Sequence, residues 1–434
     1  MYEVEKREFL SRVYLANQIL LSTKDILSIK IFQHTELSKI AIYGKPGIVF
    51  LKSAPDPLYP YIRLLKKRGF KIILFQEEGI HYQKNQGKSF EFSSRCSEYI
   101  DQYLAWHRDD ADFTKKMSIP EDKILVVGNI RFELASKFNV VETKTPANVL
   151  GILVLENFTT RNMYRYYKPK RSSVISKVEK NQFIDNNLTH EANIDLNSAI
   201  YQHLYRELIL KGYDFKIRRY TLGKTDKISD SLEKYIDKSS NILESLSGKN
   251  IVIHYGSTAG LEAILNKCVS IIFESPQVKI SDSKIRNCSM KFTDLSLLLD
   301  FLERLDFNQL AEINHSQINA MNLQYGEQFD KDQTSAVIMS LMKNSTMSNT
   351  RYPLISFYWF YAIFYSIKLF LVKIRFRLIA LYHSKVFGIA NMRVIKANKI
   401  TYDLVNSSLK LLKTDSLNFE YKIKRNRKSI IINN

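Results

Sequence analysis

The chain contains little cysteine, glycine or proline: three Cys, 14 Gly and 9 Pro in 434 residues. Three cysteines with no CxxC pair and no His/Cys cluster argue against a structural zinc site and for a reducing compartment. Few glycines and prolines with 45% hydrophobic residues exclude a disordered chain. The composition indicates a globular protein long enough for two domains and an appendage.

Two targeting signals are also missing. The N-terminus, Met1-Tyr-Glu-Val-Glu-Lys-Arg-Glu, lacks the apolar core of a signal peptide. Residues 352–367 carry no charge, but this run is shorter than the roughly 20 apolar residues that a membrane-spanning helix needs. We therefore expect a cytoplasmic protein.

The positive charge is concentrated at one end of the chain. Residues 351–434 hold 16 Lys and Arg against three acids, which gives +13 of the total +20, and the other 350 residues carry only +7. A nucleic-acid-binding protein is expected to have a basic face on its folded core. We therefore expect no nucleic-acid partner.

The basic segment is also rich in aromatic residues. The run 352–367 is followed by Lys368, Lys373, Arg375 and Arg377 within an apolar sequence. This pattern is typical of a helix in the headgroup region of an anionic membrane, and a hydrophobic helix buried against the body or a partner is the alternative. We expect a basic, aromatic, helical tail over 346–434 that contacts an anionic membrane through 352–428. The protein is then peripheral, at the cytoplasmic face of the inner or plasma membrane.

The body alternates between strand and helix patterns, which predicts parallel sheets covered by helices. In the first half, strands are expected at Ile40–Tyr43, Ile48–Lys52, Ile72–Phe75, Tyr103–Trp106 and Ile124–Val127. Helices are expected there at Leu58–Arg68 and Asp109–Met117. In the second half, strands are expected at Val149–Leu155, Phe215–Tyr220, Ile251–His254 and Val269–Phe273, and a long helix at Ile194–Lys211. Residues 157–192 are expected to form an insertion. We predict an α/β fold of two facing Rossmann-like domains, over 1–147 and 148–345.

One predicted turn has the pattern of a phosphate site. The apolar run 251–253 is followed by Gly256, Ser257 and Thr258 and then by a helical pattern from Ala259 to Leu265. A strand, a tight turn and a helix start direct backbone N–H groups and a positive dipole end at a phosphate. Ser257 and Thr258 can cap the helix and donate to phosphate oxygens. An ordinary capped turn is the alternative.

A second predicted turn is acidic. The strand Ile72–Phe75 is followed by Glu77, Glu78 and Gly79. One of two adjacent carboxylates can have its pKa raised towards the range of a general base, and ligands of open α/β sheets bind at the carboxyl ends of the strands. The alternative is a pair of solvated loop charges.

Three segments, in order within residues 30–345, together resemble one family. They are Phe75-Gln-Glu-Glu-Gly, Lys123-Ile-Leu-Val-Val-Gly-Asn-Ile-Arg-Phe-Glu-Leu, and His254-Tyr-Gly-Ser-Thr-Ala-Gly-Leu-Glu-Ala. They resemble the acidic motif, the GNPRFD segment and the serine-rich donor turn of GT-B glycosyltransferases. These enzymes make bacterial surface carbohydrates, and the group includes Kdo- and sialic-acid-type transferases of capsule and lipopolysaccharide synthesis.

The resemblance implies roles for five residues. Glu78 is the general base for the acceptor hydroxyl, and Glu77 orients or binds the acceptor. Ser257 and Thr258 hold the donor phosphate, and Glu262 contacts the nucleotide ribose. The implied donor is a nucleotide-sugar, with CMP favoured, and no metal cofactor is implied because dipoles and side chains neutralise the leaving phosphate.

The chain departs from the family at one place. Many relatives carry an Arg-Pro-His-Pro-like segment on the strand before the serine turn, whose His assists the departing nucleotide, whereas this chain has Arg218 and Arg219. Either arginine can replace the positive charge, and His254 can supply the imidazole. Arg131, in the second segment, is either structural or functional. The donor site is thus predicted from His254, Gly256, Ser257, Thr258, Glu262, Arg218 and Arg219.

The expected function is transfer of a sugar from a nucleotide to a surface-polysaccharide or lipid-linked glycan acceptor. Three alternatives remain open. They are a CDP-polyol phosphotransferase of teichoic-acid type, a nucleotide-sugar epimerase, and a non-catalytic partner in polysaccharide assembly.

Overall fold

The computed structural model describes twelve stretches of the chain. They are residues 5–22, 28–32, 36–75, 92–116, 118–137, 150–156, 197–219, 230–277, 284–326, 333–343, 422–426 and 429–433. Glu77, Glu78, the expected insertion 157–192 and the aromatic run 352–367 lie outside these stretches.

The chain forms two compact units. The first consists of Met1–Ile130 with Asp332–Asn434, and the second of Arg131–Lys331. The boundaries expected after residues 147 and 345 fall outside the described residues. Both ends of the chain belong to the first unit.

The described strands are numbered along the chain. They are β1 (Ser28–Phe32), β2 (Ile48–Leu51), β3 (Lys71–Phe75), β4 (Gln102–Ala105), β5 (Ile124–Val126), β6 (Gly151–Glu156), β7 (Asp214–Arg219), β8 (Ile251–His254), β9 (Val269–Phe273), β10 (Met290–Phe292), β11 (Lys422–Asn426) and β12 (Ser429–Asn433).

The described α-helices are numbered in the same way. They are α1 (Glu5–Ser22), α2 (Leu37–Tyr43), α3 (Tyr59–Lys67), α4 (Arg108–Lys116), α5 (Ile130–Lys137), α6 (197–210), α7 (Ile242–Leu246), α8 (Ala259–Leu265), α9 (Lys284–Cys288), α10 (Leu295–Arg304), α11 (Phe307–Tyr325) and α12 (Gln333–Lys343).

The first unit contains a parallel sheet in the order β2-β3-β4-β5. Ile48 pairs with Lys71, Ile73 with Gln102, and β4 with β5 in the same direction. Residues 72–75 are all buried, as is typical of parallel strands covered on both faces. The parallel arrangement predicted for this half is confirmed.

One predicted strand of this unit is wrong. Residues 40–43 form the end of helix α2 rather than a strand. Leu37 and Ala41 lie one helical turn apart, and both are buried. A four-residue apolar run cannot be assigned to strand or helix by its pattern alone, and here tertiary packing decides.

Helix α1, for which no element was predicted, is buried around most of its circumference. Its interior residues include Phe9, Val13 and Ile19. Glu8 is buried as well, and its Oε1 accepts a hydrogen bond of 2.8 Å from Nζ of Lys52, the residue that follows β2. The two side chains are 0% and 2% exposed. This ion pair ties the helix to the carboxyl edge of the sheet.

The second unit contains a parallel sheet in the order β10-β9-β8-β6-β7. All five residues of β9 and all four of β8 are buried. Tyr201, Leu204 and Leu208 of α6 pack on this sheet, with Leu298 of α10 in the same core. The predicted strands Ile251–His254 and Val269–Phe273 are confirmed.

A small antiparallel sheet joins the two ends of the chain in the order β1-β12-β11. The expected helical tail is therefore wrong for 422–426 and 429–433, where a hairpin pairs with β1. The run Ile430-Ile431-Ile432 is β-branched, which favours a strand.

No helix among the described residues is both long enough and apolar enough to cross a membrane.

Candidate functional site

The strand order of the second unit reverses at one point. From β6 the chain moves to β7 on one side, and it then returns to place β8 on the other side of β6. Doubly wound sheets bind ligands outside the carboxyl ends of the strands at such a reversal. The residues at these ends are Glu156 of β6, Arg219 of β7 and the turn that follows His254 of β8.

The turn after β8 is shaped by Gly256, whose φ is +62°. L-residues with a side chain rarely adopt this left-handed conformation, so glycine is required by the backbone. The hydroxyl of Ser257 accepts a hydrogen bond of 3.3 Å from the N–H of Ala259 and so caps helix α8. Thr258 was expected to share the capping, but its side chain makes no capping hydrogen bond.

Most amide groups at this turn bond within the protein. The N–H of Ser257 donates to His254, that of Gly260 to the Ser257 carbonyl (2.9 Å), and that of Leu261 to the Thr258 carbonyl (3.0 Å). The expectation that a row of N–H groups is directed at a phosphate is therefore wrong for these three. Ser257 and Thr258 are half-buried, and their hydroxyls are donors that the turn can offer.

His254 is fully buried, and both ring nitrogens have partners. Nδ1 accepts from the Ser257 N–H at 3.1 Å, and Nε2 lies 2.7 Å from Oγ of Ser270. Burial lowers the pKa of His254 to about 3. Direct contact between this imidazole and a donor, expected from the sequence, is not available in this arrangement because the ring has no exposed surface.

The side chain of Glu262 is buried as well. Its Oε1 and Oε2 accept from Nε and Nη2 of Arg131 at 3.0 and 2.6 Å. Both side chains are 3% exposed. Arg131 thus engages both carboxylate oxygens of Glu262, and the expected contact of Glu262 with a ribose stays a prediction. The pair fixes α5 to α8, and Asn266 adds a 3.3 Å bond to the Ala135 carbonyl.

The two candidate arginines of β7 lie on opposite faces of the sheet, as neighbours in a strand must. Arg218 donates to Asp237 at 2.8 Å and to the hydroxyl of Ser245 at 2.5 Å. Burial alone would raise the pKa of Asp237, but hydrogen bonds from Ser239, Ser245 and Arg218 lower it overall. Arg218 is therefore part of a structural network that holds the residues after β7.

Arg219 lies instead at the carboxyl end of β7, beside β6, which is one of the two strands at the strand-order reversal. Its Nε donates to Oε2 of Glu156 at 2.6 Å, and the two side chains are 21% and 9% exposed. Behind this pair, burial raises the pKa of Tyr205, and the charge of Glu156 raises it further. Glu156 was not among the predicted site residues. The available signal was an acid directly after the apolar run Ile152–Leu155.

The structure thus brings together Arg219, Gly256, Ser257 and Thr258 with Glu156 at one sheet edge. It assigns Arg218, His254 and Glu262 to hydrogen-bond networks beside that edge. Glu77 and Glu78 lie outside the described residues, so their expected roles stay predictions.

No protein-family model matches the chain, and no curated protein matches it. Solved structures that the comparison matched include the wall teichoic acid polymerase TagF, an H444N variant with CDPG, at 12% identity and a TM-score of 0.39, covering 77% of this chain and 97% of that one. A UDP-GlcNAc 2-epimerase from Neisseria meningitidis bound to UDP-GlcNAc matches at 13% identity and 0.43, covering 77% and 82%. S. aureus MnaA with UDP matches at 12% and 0.43, covering 74% and 79%. Similarities this distant assign no activity to the chain.

Proposed function

We propose that the chain is a glycosyltransferase that binds a nucleotide-activated sugar at the carboxyl edge of the second unit's sheet. The carrying observation is that the Gly256–Thr258 turn follows β8 and Glu156, which holds Arg219 of the neighbouring β7, ends β6, and that the strand order reverses between these two adjacent strands. Hydroxyl groups and a guanidinium are strong hydrogen-bond donors to phosphate. No other place in the described part of this unit combines hydroxyl donors, a guanidinium and a strand-order reversal.

The site suits a leaving nucleotide phosphate. During transfer, the bond between the anomeric carbon of the sugar and the phosphate oxygen breaks, and its electron pair stays on the phosphate. Arg219 and the hydroxyls of Ser257 and Thr258 stabilise that charge, as fixed donors do in a preorganised site. Glu156 sets the direction of the Arg219 guanidinium. We favour a CMP-linked donor and a reaction without a metal cofactor, in keeping with the family resemblance.

The acceptor half of the proposal rests on the sequence motif. Glu78 takes the proton of the acceptor hydroxyl as that oxygen bonds to the anomeric carbon, and Glu77 orients the acceptor. The acceptor is a surface-polysaccharide or lipid-linked glycan, and the basic tail keeps the protein peripheral at the cytoplasmic face of the membrane. Glu78→Gln is expected to lower kcat by about 10²–10⁴-fold while donor affinity is unchanged. Full activity of this variant would remove Glu78 as the base.

The donor is identified by a thermal-shift screen of the full chain with CMP, CDP, UDP, GDP and ADP. A ligand that binds only the folded state raises Tm. We expect one nucleotide to raise Tm in the wild type and in the control Ser316→Ala, an exposed hydroxyl of α11. The rise should be lost in a Ser257→Ala/Thr258→Ala variant. No response to any nucleotide would contradict the proposal and favour a non-catalytic assembly partner.

Product analysis separates the remaining enzyme classes. The nucleotide that binds is supplied as its sugar derivative, and CDP-glycerol is supplied in parallel. Transfer of a sugar with release of the nucleotide supports the proposal. Transfer of glycerol phosphate from CDP-glycerol would show a polyol phosphotransferase instead, and conversion of the sugar on its nucleotide would show an epimerase.

A further inference from the structure

We infer that His254 is a positioning residue that fixes the Gly256–Thr258 turn by accepting the Ser257 N–H, and that it requires glycine at position 260. The part of this inference that concerns a ligand rests on the proposed function. The part that concerns the turn does not.

The hydrogen bonds assign the tautomer of the ring. Nδ1 accepts from a backbone N–H at 3.1 Å, so it carries a lone pair and not a proton. The proton of the neutral ring is therefore on Nε2, which donates to Oγ of Ser270 at 2.7 Å. The Ser270 hydroxyl in turn lies 2.9 Å from that of Ser289, and either hydroxyl can be the donor of this bond. A protonated ring could not accept the Ser257 N–H.

Ser270, whose hydroxyl accepts a hydrogen bond from Nε2 of His254, is itself held in place by Gln317. The Gln317 side chain accepts from the Ser270 N–H at 2.9 Å and donates to the Ser270 carbonyl at 2.7 Å. His254, Ser270 and Gln317 are all buried. The ring is therefore fixed from its far side, and its near side fixes the turn.

The position of the His254 ring also depends on Gly260. A Cβ at this position would lie 2.2 Å from Nε2 and 2.7 Å from Cε1 of His254. Such distances lie far below van der Waals contact, and a packed interior gives the ring no space to move away. His254 therefore packs against the first turn of α8 directly through the bare Cα of Gly260. An alanine there must displace either the ring or the helix start.

The consequence for a ligand follows from Ser257. Its N–H is committed to His254, and its hydroxyl oxygen accepts from Ala259. The hydroxyl proton is then the group that Ser257 can direct at a phosphate. Because the ring stays neutral, this geometry does not change across pH 5–8, and phosphate affinity should show no imidazole titration.

The test compares His254→Leu with His254→Asn, whose side-chain oxygen can replace Nδ1 as acceptor. Hydrogen exchange of the Ser257 amide, measured by NMR, should be at least 10-fold faster in the leucine variant and within about threefold of wild type in the asparagine variant. Affinity for CMP and CDP should fall about 10-fold only in the leucine variant. The terminal phosphate of these ligands has a pKa of about 6, so affinity should change with pH between 5 and 8 to the same extent in the wild type and in the asparagine variant.

Unchanged exchange at Ser257 in His254→Leu would overturn the inference, as would equal effects of leucine and asparagine. If His254→Leu does not fold, Ser270→Ala and Gly260→Ala provide the same test, with faster Ser257 exchange expected in both. Faster exchange with no nucleotide binding by the wild type would support the positioning role and contradict the proposed function.

Discussion

The Arg131–Glu262 pair gives the sharpest prediction about the second unit. Each side chain is 3% exposed, and two hydrogen bonds of 2.6 and 3.0 Å join them. Removing one partner from a buried pair leaves an uncompensated charge and costs about 3–5 kcal/mol. Replacing both by apolar residues of similar volume is often close to neutral. We therefore expect Glu262→Leu to destabilise the unit by that amount and Arg131→Met/Glu262→Leu to recover most of the loss.

The assay has to report on this unit alone. Trp106 belongs to the first unit and Trp359 lies outside the described residues, so tryptophan fluorescence is not a reporter of the second unit. Hydrogen exchange of the amides in β8 and α8 does. Exchange in Glu262→Leu should be faster by about two to four orders of magnitude.

Two results would refute the reasoning. One is a double variant as unstable as Glu262→Leu, which would show that the charges are not coupled. The other concerns function: the double variant should bind the nucleotide as tightly as wild type, because Glu262 is structural. A stable double variant that has lost nucleotide affinity would restore Glu262 as a ribose ligand.

Three further predictions concern other buried polar groups. Lys52→Met should remove the buried ammonium group that donates to Glu8, cost about 3–5 kcal/mol in the free energy of unfolding of the first unit, and appear as a lower urea midpoint of Trp106 fluorescence. His254 has an ordinary pKa of 6.5 that burial lowers to about 3, so its contribution to stability is complete above pH 6.5 and is lost as the pH falls towards 3. At pH 5 the loss is about 2 kcal/mol relative to pH 7.5, and His254→Asn should lack this part of the acid sensitivity in a urea titration. Gln317→Leu should cost about 1–3 kcal/mol by leaving the Ser270 backbone groups unsatisfied, measured as faster exchange in β9.

The local structure of the donor turn could be predicted from the sequence. The apolar run that ends at His254 and the helix Ala259–Leu265 have the predicted bounds, because both patterns are short, buried and separated by Gly256. The alternation of strands and helices also predicted parallel sheets in both halves. These features depend on neighbours within a few residues.

The partners of charged residues could not be predicted. Arg131 and Glu262 are 131 positions apart, and Glu156 meets Arg219 across 63. A sequence shows that each charge exists, but the fold decides which charge it meets and whether solvent reaches either one. That is why Glu262 was expected at a ribose and Glu156 was missed. The pairing of β12 with β1 is hidden for the same reason, since it joins opposite ends of the chain.

The central claim is that the nucleotide phosphate lies at the strand-order reversal beside Arg219. Isothermal titration of the nucleotide into Arg219→Gln tests it most directly, with Arg206→Gln as the control because Arg206 is exposed on α6 of the same unit. A charge-assisted hydrogen bond contributes about 1.5–3 kcal/mol, so we predict a roughly 10- to 100-fold weaker Kd for Arg219→Gln and no change for the control. The corresponding nucleoside should bind both variants equally. An unchanged Kd for Arg219→Gln would contradict the account.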